Sequence, residues 1–358
     1  LKCGRTLRLT RYQPGWPSTS LTSMEALRSG RRERTPGAGM KLQLALFDLA
    51  PDDPKPELPD APDIHVLSQP ERVADAVTYE TQRSASLFAA WAKRGLGGAM
   101  GVITDPVGAL AGAEELTESV FRLVKPASPL SPLITERSLS VRFATLQFPL
   151  PIAKAAAKAA HGRLNDAFIG GLALGLRRYH EAHARNVESL RMNMPINVRN
   201  QTVGNTAGNA FIPARVEVPM HPDEPIEMMK QLRSVVLHAR DEPANDLMEL
   251  LSNGLNRLPT SMTSALFGAM LKGNDFTASN VPGAPIPLYL VGQRMLSQYA
   301  FGPNAGSAMN FTLVSYADDC FIGVNIDPVA VPDPDVLMQC IELGFEEIFS
   351  VVPSAAAE

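Results

Sequence analysis

Few side chains in this 358-residue chain are placed to do chemistry. His180 and His183 stand one helical turn apart in "LRRYHEAH", a spacing at which two rings can share a metal ion, but no third ligand is near and the run reads as a solvated helix face. His65, His161, His221 and His238 stand apart in sequence. Cys3, Cys320 and Cys340 form no Cys-x-x-Cys pair, so neither a metal centre nor a disulfide framework is expected, and a reducing compartment is the simpler setting. There is no Gly-x-Ser-x-Gly and no P-loop; "GLGGAMG", Gly95 to Gly101, has the wrong spacing for a dinucleotide and reads as a helix break.

Three polar constellations remain. Asn165-Asp166 falls where a helix must begin. Capping explains both residues: Asn165 as the N-cap accepts exposed backbone N–H groups, worth about 0.5–2 kcal/mol, and Asp166 sits at the positive end of the helix dipole. Asn280 precedes Pro282-Gly283, where Pro presets a turn and Gly can take the positive φ of type II. Arg199, Gly208 and Asn209 lie in a Gly/Asn-rich loop, with Arg199 either solvated or positioned for a phosphate or carboxylate.

The elements that must position these residues follow from periodicity. "KLQLALFDL", 41–49, reads as a short helix, and the Pro/Asp-rich run after it as a linker. Helical rhythm returns over 69–95 and 106–124. "VRFATLQFPL" alternates as a strand with at least one buried face. "PIAKAAAKAAHG" and "NDAFIGGLALGLRRYHEAH" are helices, the first closed by Gly162. Strands follow at 189–198 and 210–218, then helices over 223–240, 245–256 and 260–271. Four strand-like runs come next, "FTASNV", "PLYLVG", "NFTLVSY" and "CFIGVNI", and a last helix over 335–349. Helices and strands mix without strict alternation, so the expected class is mixed α/β rather than a simple doubly wound sheet.

Composition sets the outer limits. Hydrophobic residues are 45% and charged ones 20%, ordinary for a globular protein, and the net charge of -4 argues against nucleic acid as a partner. The charge is uneven: residues 1–40 carry eight Lys/Arg against two Asp/Glu, the remainder 25 against 35. The apolar run Ala167 to Leu176 is about half of the roughly 20 residues a spanning helix needs. The Arg- and Ser-rich start also allows an organelle transit peptide.

Taken in order, "VRFATLQFPLPIAKAAAKAAHGRLNDAFIGGLALGLRRY", "NMPINVR", "AGNAFIP", "SNVPGAPIPLYLVG", "NFTLVSY" and "FIGVNIDPVAVPDPDVL" resemble the bacterial wax ester synthase/diacylglycerol acyltransferase family, most specifically from 140 to 350. The resemblance implies a chloramphenicol acetyltransferase-like lobe, a mixed sheet flanked by helices, in a fold of two lobes around a tunnel. It implies transfer of a long acyl chain from acyl-CoA, as co-substrate, to a fatty alcohol or diacylglycerol, with no permanently bound cofactor. The setting would be cytoplasmic, at a membrane or lipid-inclusion surface. It makes Asn165-Asp166 a family motif, and Arg199, Gly208, Asn209, Asn280, Pro282 and Gly283 tunnel-lining or substrate-loop positions. Residues 139–352 would be the C-terminal lobe, 40–138 a helical remnant and connector of an N-terminal lobe that is largely missing, and 1–39 an irregular or disordered segment, non-native under the first of the origins weighed below.

In that family the base that deprotonates the alcohol is the second His of His-His-x-x-x-Asp-Gly, and donors stabilise the oxyanion. This chain has no His-His pair. The position that should hold the motif reads Arg31-Arg32-Glu33-Arg34-Thr35-Pro36-Gly37, where only Gly37 survives. Arginine stays protonated and cannot be the base. The expectation is a chain inactive as written. Three origins fit: an artefactual start, favoured by the charge reversal at Met40 and a first residue other than Met; a degenerate paralogue that binds acyl-CoA or lipid or acts as a scaffold; and an unrelated or altered activity.

Overall fold

The computed structural model describes residues 47–50, 68–75, 77–78, 81, 128–197, 211–222, 224–240, 268, 271 and 273–353. The expected helices over 106–124 and 245–256, the Gly95–Gly101 break and the 198–210 loop lie outside them.

Strand β1 (Arg142–Pro149) runs directly into helix α1 (Leu150–Ala159), whose Pro151 stands in its first turn, where no N–H is needed. Leu150, Ala153, Ala156 and Ala157 give α1 its buried stripe. Helix α2 (Leu164–Ala182) follows a tight turn with His161 in the left-handed region. Then come β2 (Ser189–Asn197), β3 (Phe211–Pro219), α3 (Pro225–Arg240), β4 (Phe276–Pro282), the two-residue strands β5 (Tyr289–Leu290) and β6 (Gln293–Arg294), β7 (Met309–Tyr316), β8 (Asp319–Ile326) and α4 (Pro334–Phe349).

Six strands form one mixed sheet in the order β1-β8-β7-β4-β2-β3. Its middle, β7-β4-β2, is parallel, and both flanks are antiparallel. Strand alternation gives the sheet two different faces. Met309, Phe311, Leu313, Ile322, Val324 and Phe276 point into the apolar core shared with the four helices. Asn310, Thr312, Asn325 and Thr277 point the other way, under the non-helical segment 283–308. In β1 the core face is Ala144, Leu146 and Phe148, while Phe143 is 62% exposed.

Helices α2 and α4 cross at glycines. A Cβ on Gly344 would lie 2.4 Å from both Gly171 O and Gly175 N, and one on Gly171 would lie 2.5 Å from the Phe345 ring. The apolar "AFIGGLALGL" therefore serves a close helix–helix contact. The run "LRRYHEAH" corrects its expected solvation: Arg177, Tyr179 and His180 are buried.

Two further expectations change. Residues 47–49 are extended, not helical: Asp48 exchanges backbone hydrogen bonds with Tyr289 at 2.9 and 2.8 Å. Phe47 and Leu49, two apart and so on one side, pack on a second cluster of Ala284, Leu288, Tyr316 and Phe321. "PLYLVG" contributes only Tyr289–Leu290 to a two-stranded ribbon with Gln293–Arg294, turned at Val291-Gly292 with φ of 52° and 75°. It does not extend the main sheet.

Candidate functional site

The carboxyl ends of the parallel strands β2, β4 and β7 lie along one edge of the sheet. In open α/β sheets that edge is where loops converge to bind ligands. Asn280, Pro282 and Gly283 stand at the end of β4, and β2 leaves the sheet there at Asn197. Helix α2 begins at this edge and α4 ends there: Gly170 faces Ile348, whereas Tyr179 bonds Asp333 just before α4 starts. Asn165-Asp166 and Asn280–Gly283 are thus brought to one edge. Arg199, Gly208 and Asn209, like Arg31, Arg32, Pro36 and Gly37, lie outside the described residues.

Asp166, not Asn165, caps α2. The helix starts at Leu164, so Arg163 is the N-cap, Asn165 is the second helical residue and Asp166 the third. The Asp166 carboxylate accepts the Arg163 N–H at 2.7 Å. A Cβ on Gly162 would lie 2.7 Å from that same carboxylate oxygen, which is why glycine precedes the cap. Burial pushes the Asp166 carboxyl above its usual range, against the Arg163 N–H and the charges of Arg233 and Arg163. Arg233 also donates to the His161 carbonyl, holding the turn. Asn165 is half-buried and its side chain makes no hydrogen bond among the described residues.

Asn280 has the same character. By alternation from Phe276 and Ala278 it faces the helix layer, half-buried and without a side-chain hydrogen bond among the described residues. The Pro282-Gly283 turn is corrected. Pro282 is the last residue of β4, opposite Ser315, and Gly283 is absent from the positive-φ glycines. Glycine is needed there for space: a Cβ would lie 2.0 Å from the Ser315 carbonyl oxygen.

The opposite edge holds a cluster that the residue spacing does not reveal. Ser131 Oγ lies 2.7 Å from His180 Nε2, and His180 Nδ1 lies 2.8 Å from the Leu176 carbonyl. A carbonyl can only accept, so Nδ1 carries the proton and Nε2 accepts from the Ser131 hydroxyl. Asp275 accepts the Leu130, Ser131 and Arg191 N–H groups at 3.1, 3.0 and 2.7 Å. The trio has the residue types of a hydrolytic triad, but Asp275 holds backbone rather than the imidazole. Ser131 Oγ also accepts the Leu133 and Ile134 N–H groups, and all three side chains are buried. Beside it, Arg137 donates to the carbonyls of Gly306 and Asn274, both at 2.9 Å. This cluster pins the connector 128–140 to the sheet. The one signal in the sequence is the placement of His180 four residues after Leu176, on the apolar stripe of α2.

His183 is separate from His180. Its Nε2 meets Asp333 at 2.9 Å and its Nδ1 the Tyr179 carbonyl at 2.8 Å, and Tyr179 donates to the other Asp333 oxygen at 2.6 Å. The two rings turn to different partners.

Residues 207–349 match the WS/DGAT C-terminal domain. A Mycobacterium tuberculosis (strain H37Rv) protein, provisionally named a diacylglycerol O-acyltransferase, is 34% identical over 255 residues, 71% of this chain and 51% of its own length. A Mycobacterium bovis protein with the same provisional name is 25% identical over 248 residues, 67% of this chain and 52% of its own. The chain thus spans about half the length of the curated relatives it matches. Among solved structures, the wax ester synthase/diacylglycerol acyltransferase of Marinobacter aquaeolei VT8 aligns over 68% of this chain and 57% of that one, with TM-score 0.47 and 20% identity.

Proposed function

This chain belongs to the wax ester synthase/diacylglycerol acyltransferase family, and from that premise we propose that its described lobe forms one wall of an O-acyltransferase site but does not catalyse transfer by itself. The substrate classes are a long-chain acyl-CoA and a fatty alcohol or diacylglycerol. The lobe works against a membrane or lipid-inclusion surface. No helix among the described residues is long and apolar enough to cross a membrane.

The carboxyl edge of β2-β4-β7 is the side that faces substrate in this proposal. Asn165 and Asn280 present amides there, which can donate to a carbonyl or hydroxyl oxygen but cannot take a proton. Gly283 and Gly162 let the backbone close up beneath them.

One observation carries the non-catalytic part: the sequence contains no His-His-x-x-x-Asp-Gly. The two histidines at the end of α2 do not replace it. His180 is buried and His183 is bonded to Asp333, both at the other end of α2. His161 is exposed near the start of α2, but no hydrogen bond among the described residues orients its ring. Deprotonating an alcohol needs a positioned base.

The test uses the purified full chain with radiolabelled palmitoyl-CoA and either hexadecanol or dioleoylglycerol. Ester should form no faster than without protein, while calorimetry should register saturable palmitoyl-CoA binding. Turnover abolished by His161→Ala would overturn the non-catalytic reading, and absent binding would overturn the acyl-CoA reading.

A further inference from the structure

A cavity of about 110 Å³ lies beside the end of α2, lined by Arg177, Glu181, Arg185, Asn186, Val187 and His221. It belongs to the edge opposite Asn165-Asp166, separated from them by most of a 19-residue helix, about 28 Å long at 1.5 Å per residue.

Its floor is a buried cation. Arg177 is only 8% exposed, and its guanidinium reaches the Met220 carbonyl at 3.4 Å, Glu181 at 3.5 Å and Glu347 at 4.0 Å. Glu347 pairs more closely with Arg178. The rim is built by a specific turn. Ala184 takes the left-handed region, φ 53°, uncommon for alanine. The Arg185 N–H then returns to the His180 carbonyl at 2.9 Å, folding Arg185 and Asn186 back over the helix end. His221 comes from the segment after β3, held where Met220 N–H meets the Glu188 carbonyl at 2.9 Å.

A cation near a helix C-terminus is favourable without any ligand, and that accounts for one arginine. It does not account for basic and amide side chains from three segments lining one hollow. Two arginines, an asparagine and a histidine drawn from three segments around one hollow suit a tetrahedral oxyanion better than a planar carboxylate, which one guanidinium satisfies alone. Glu181 is the single acid in the lining and opposes an anion.

We propose that this cavity is a binding site for a phosphate group, supplied either as free phosphate or as the 3′-phosphate of a coenzyme A molecule. The site does not depend on the acyl-transfer reading.

The experiment measures thermal unfolding and calorimetric binding of the full chain with inorganic phosphate, against sodium chloride at equal ionic strength. Phosphate should raise the unfolding temperature saturably where chloride does not. Arg185 and Glu181 are exposed, so neutral variants keep the fold. Arg185→Gln should weaken phosphate binding by about tenfold, the loss of one charge-assisted hydrogen bond. Glu181→Gln should tighten it. Coenzyme A binding more tightly than its dephospho form, with the difference lost in Arg185→Gln, assigns the site to that 3′-phosphate. Equal binding of the two, with inorganic phosphate still sensitive to Arg185→Gln, assigns it to free phosphate. Phosphate acting no differently from chloride, or binding unmoved by both substitutions, would overturn the proposal.

Discussion

Ser131 donates its hydroxyl hydrogen to Nε2 of His180 across 2.7 Å, and both side chains are shut away from solvent. A serine and a histidine at that distance are the start of a nucleophile. Here the pair is a rivet: it ties the connector before β1 to the end of α2, and Asp275 extends the tie to β2 and β4.

Removing the rivet should cost stability. Ser131→Ala leaves His180 Nε2 and two backbone N–H groups without their partner, a loss of about 1–3 kcal/mol. Urea unfolding followed by circular dichroism measures it; a midpoint equal to the parent would refute the role.

The same pair gives the lobe a dependence on acid. Burial holds the His180 ring below its ordinary range, against the Leu176 carbonyl and the charge of Asp275. The unfolded chain binds the proton more readily, so this contribution is complete above about pH 6.5 and is lost as pH falls from there through the folded value. His180→Gln, which keeps an acceptor for Ser131, should flatten the slope of stability below about pH 6.5. An unchanged slope would place the effect elsewhere.

Asp327 works in a lower window. Burial raises its carboxyl, but the Ser138 N–H and O–H and the N–H groups of Val329 and Ala330 outweigh it, and the group ends below its usual range. Its stabilisation is present above about pH 4 and lost as pH falls further through the folded value. Asp327→Asn should remove that part of the acid transition, read from unfolding midpoints below about pH 4.

The two motif residues at the start of α2 should separate. Asp166→Ala removes the cap and costs about 0.5–2 kcal/mol. Asn165→Ala removes no hydrogen bond among the described residues and should leave stability within about 0.5 kcal/mol. Differential scanning calorimetry on both tells them apart. A weakened palmitoyl-CoA affinity in Asn165→Ala, with its stability intact, would mark that amide as part of the site.

Gly283 should tolerate nothing larger. A methyl there meets the Ser315 carbonyl oxygen at 2.0 Å, so Gly283→Ala must spread β4 from β7, costing about 1–3 kcal/mol or more. A parental melting temperature would exclude so close an approach.

Elements with a strong period are legible in the residue pattern alone. The stripe Phe168, Ile169, Leu172, Leu176 specifies α2, and alternation specifies β1, β7 and β8. Short elements with neutral pattern are not. Phe47 and Leu49 fit a helix as well as a strand, and the choice is made by Tyr289, which offers Asp48 backbone partners from far down the chain. Glycine between strands looks like a turn at Gly283, because sequence carries no record of the carbonyl that approaches it.

The strongly periodic elements, the family and the absence of a His-His-x-x-x-Asp-Gly run were written in the order of the residues, since they depend on local periodicity and on which side chains exist. Which polar side chains stand together was decided by packing. The fold placed Asn165 and Asn280 on one edge of the sheet and buried Ser131, His180 and Asp275 at the other. Strand order and helix crossing set those distances, and both arise from contacts between residues far apart in the chain.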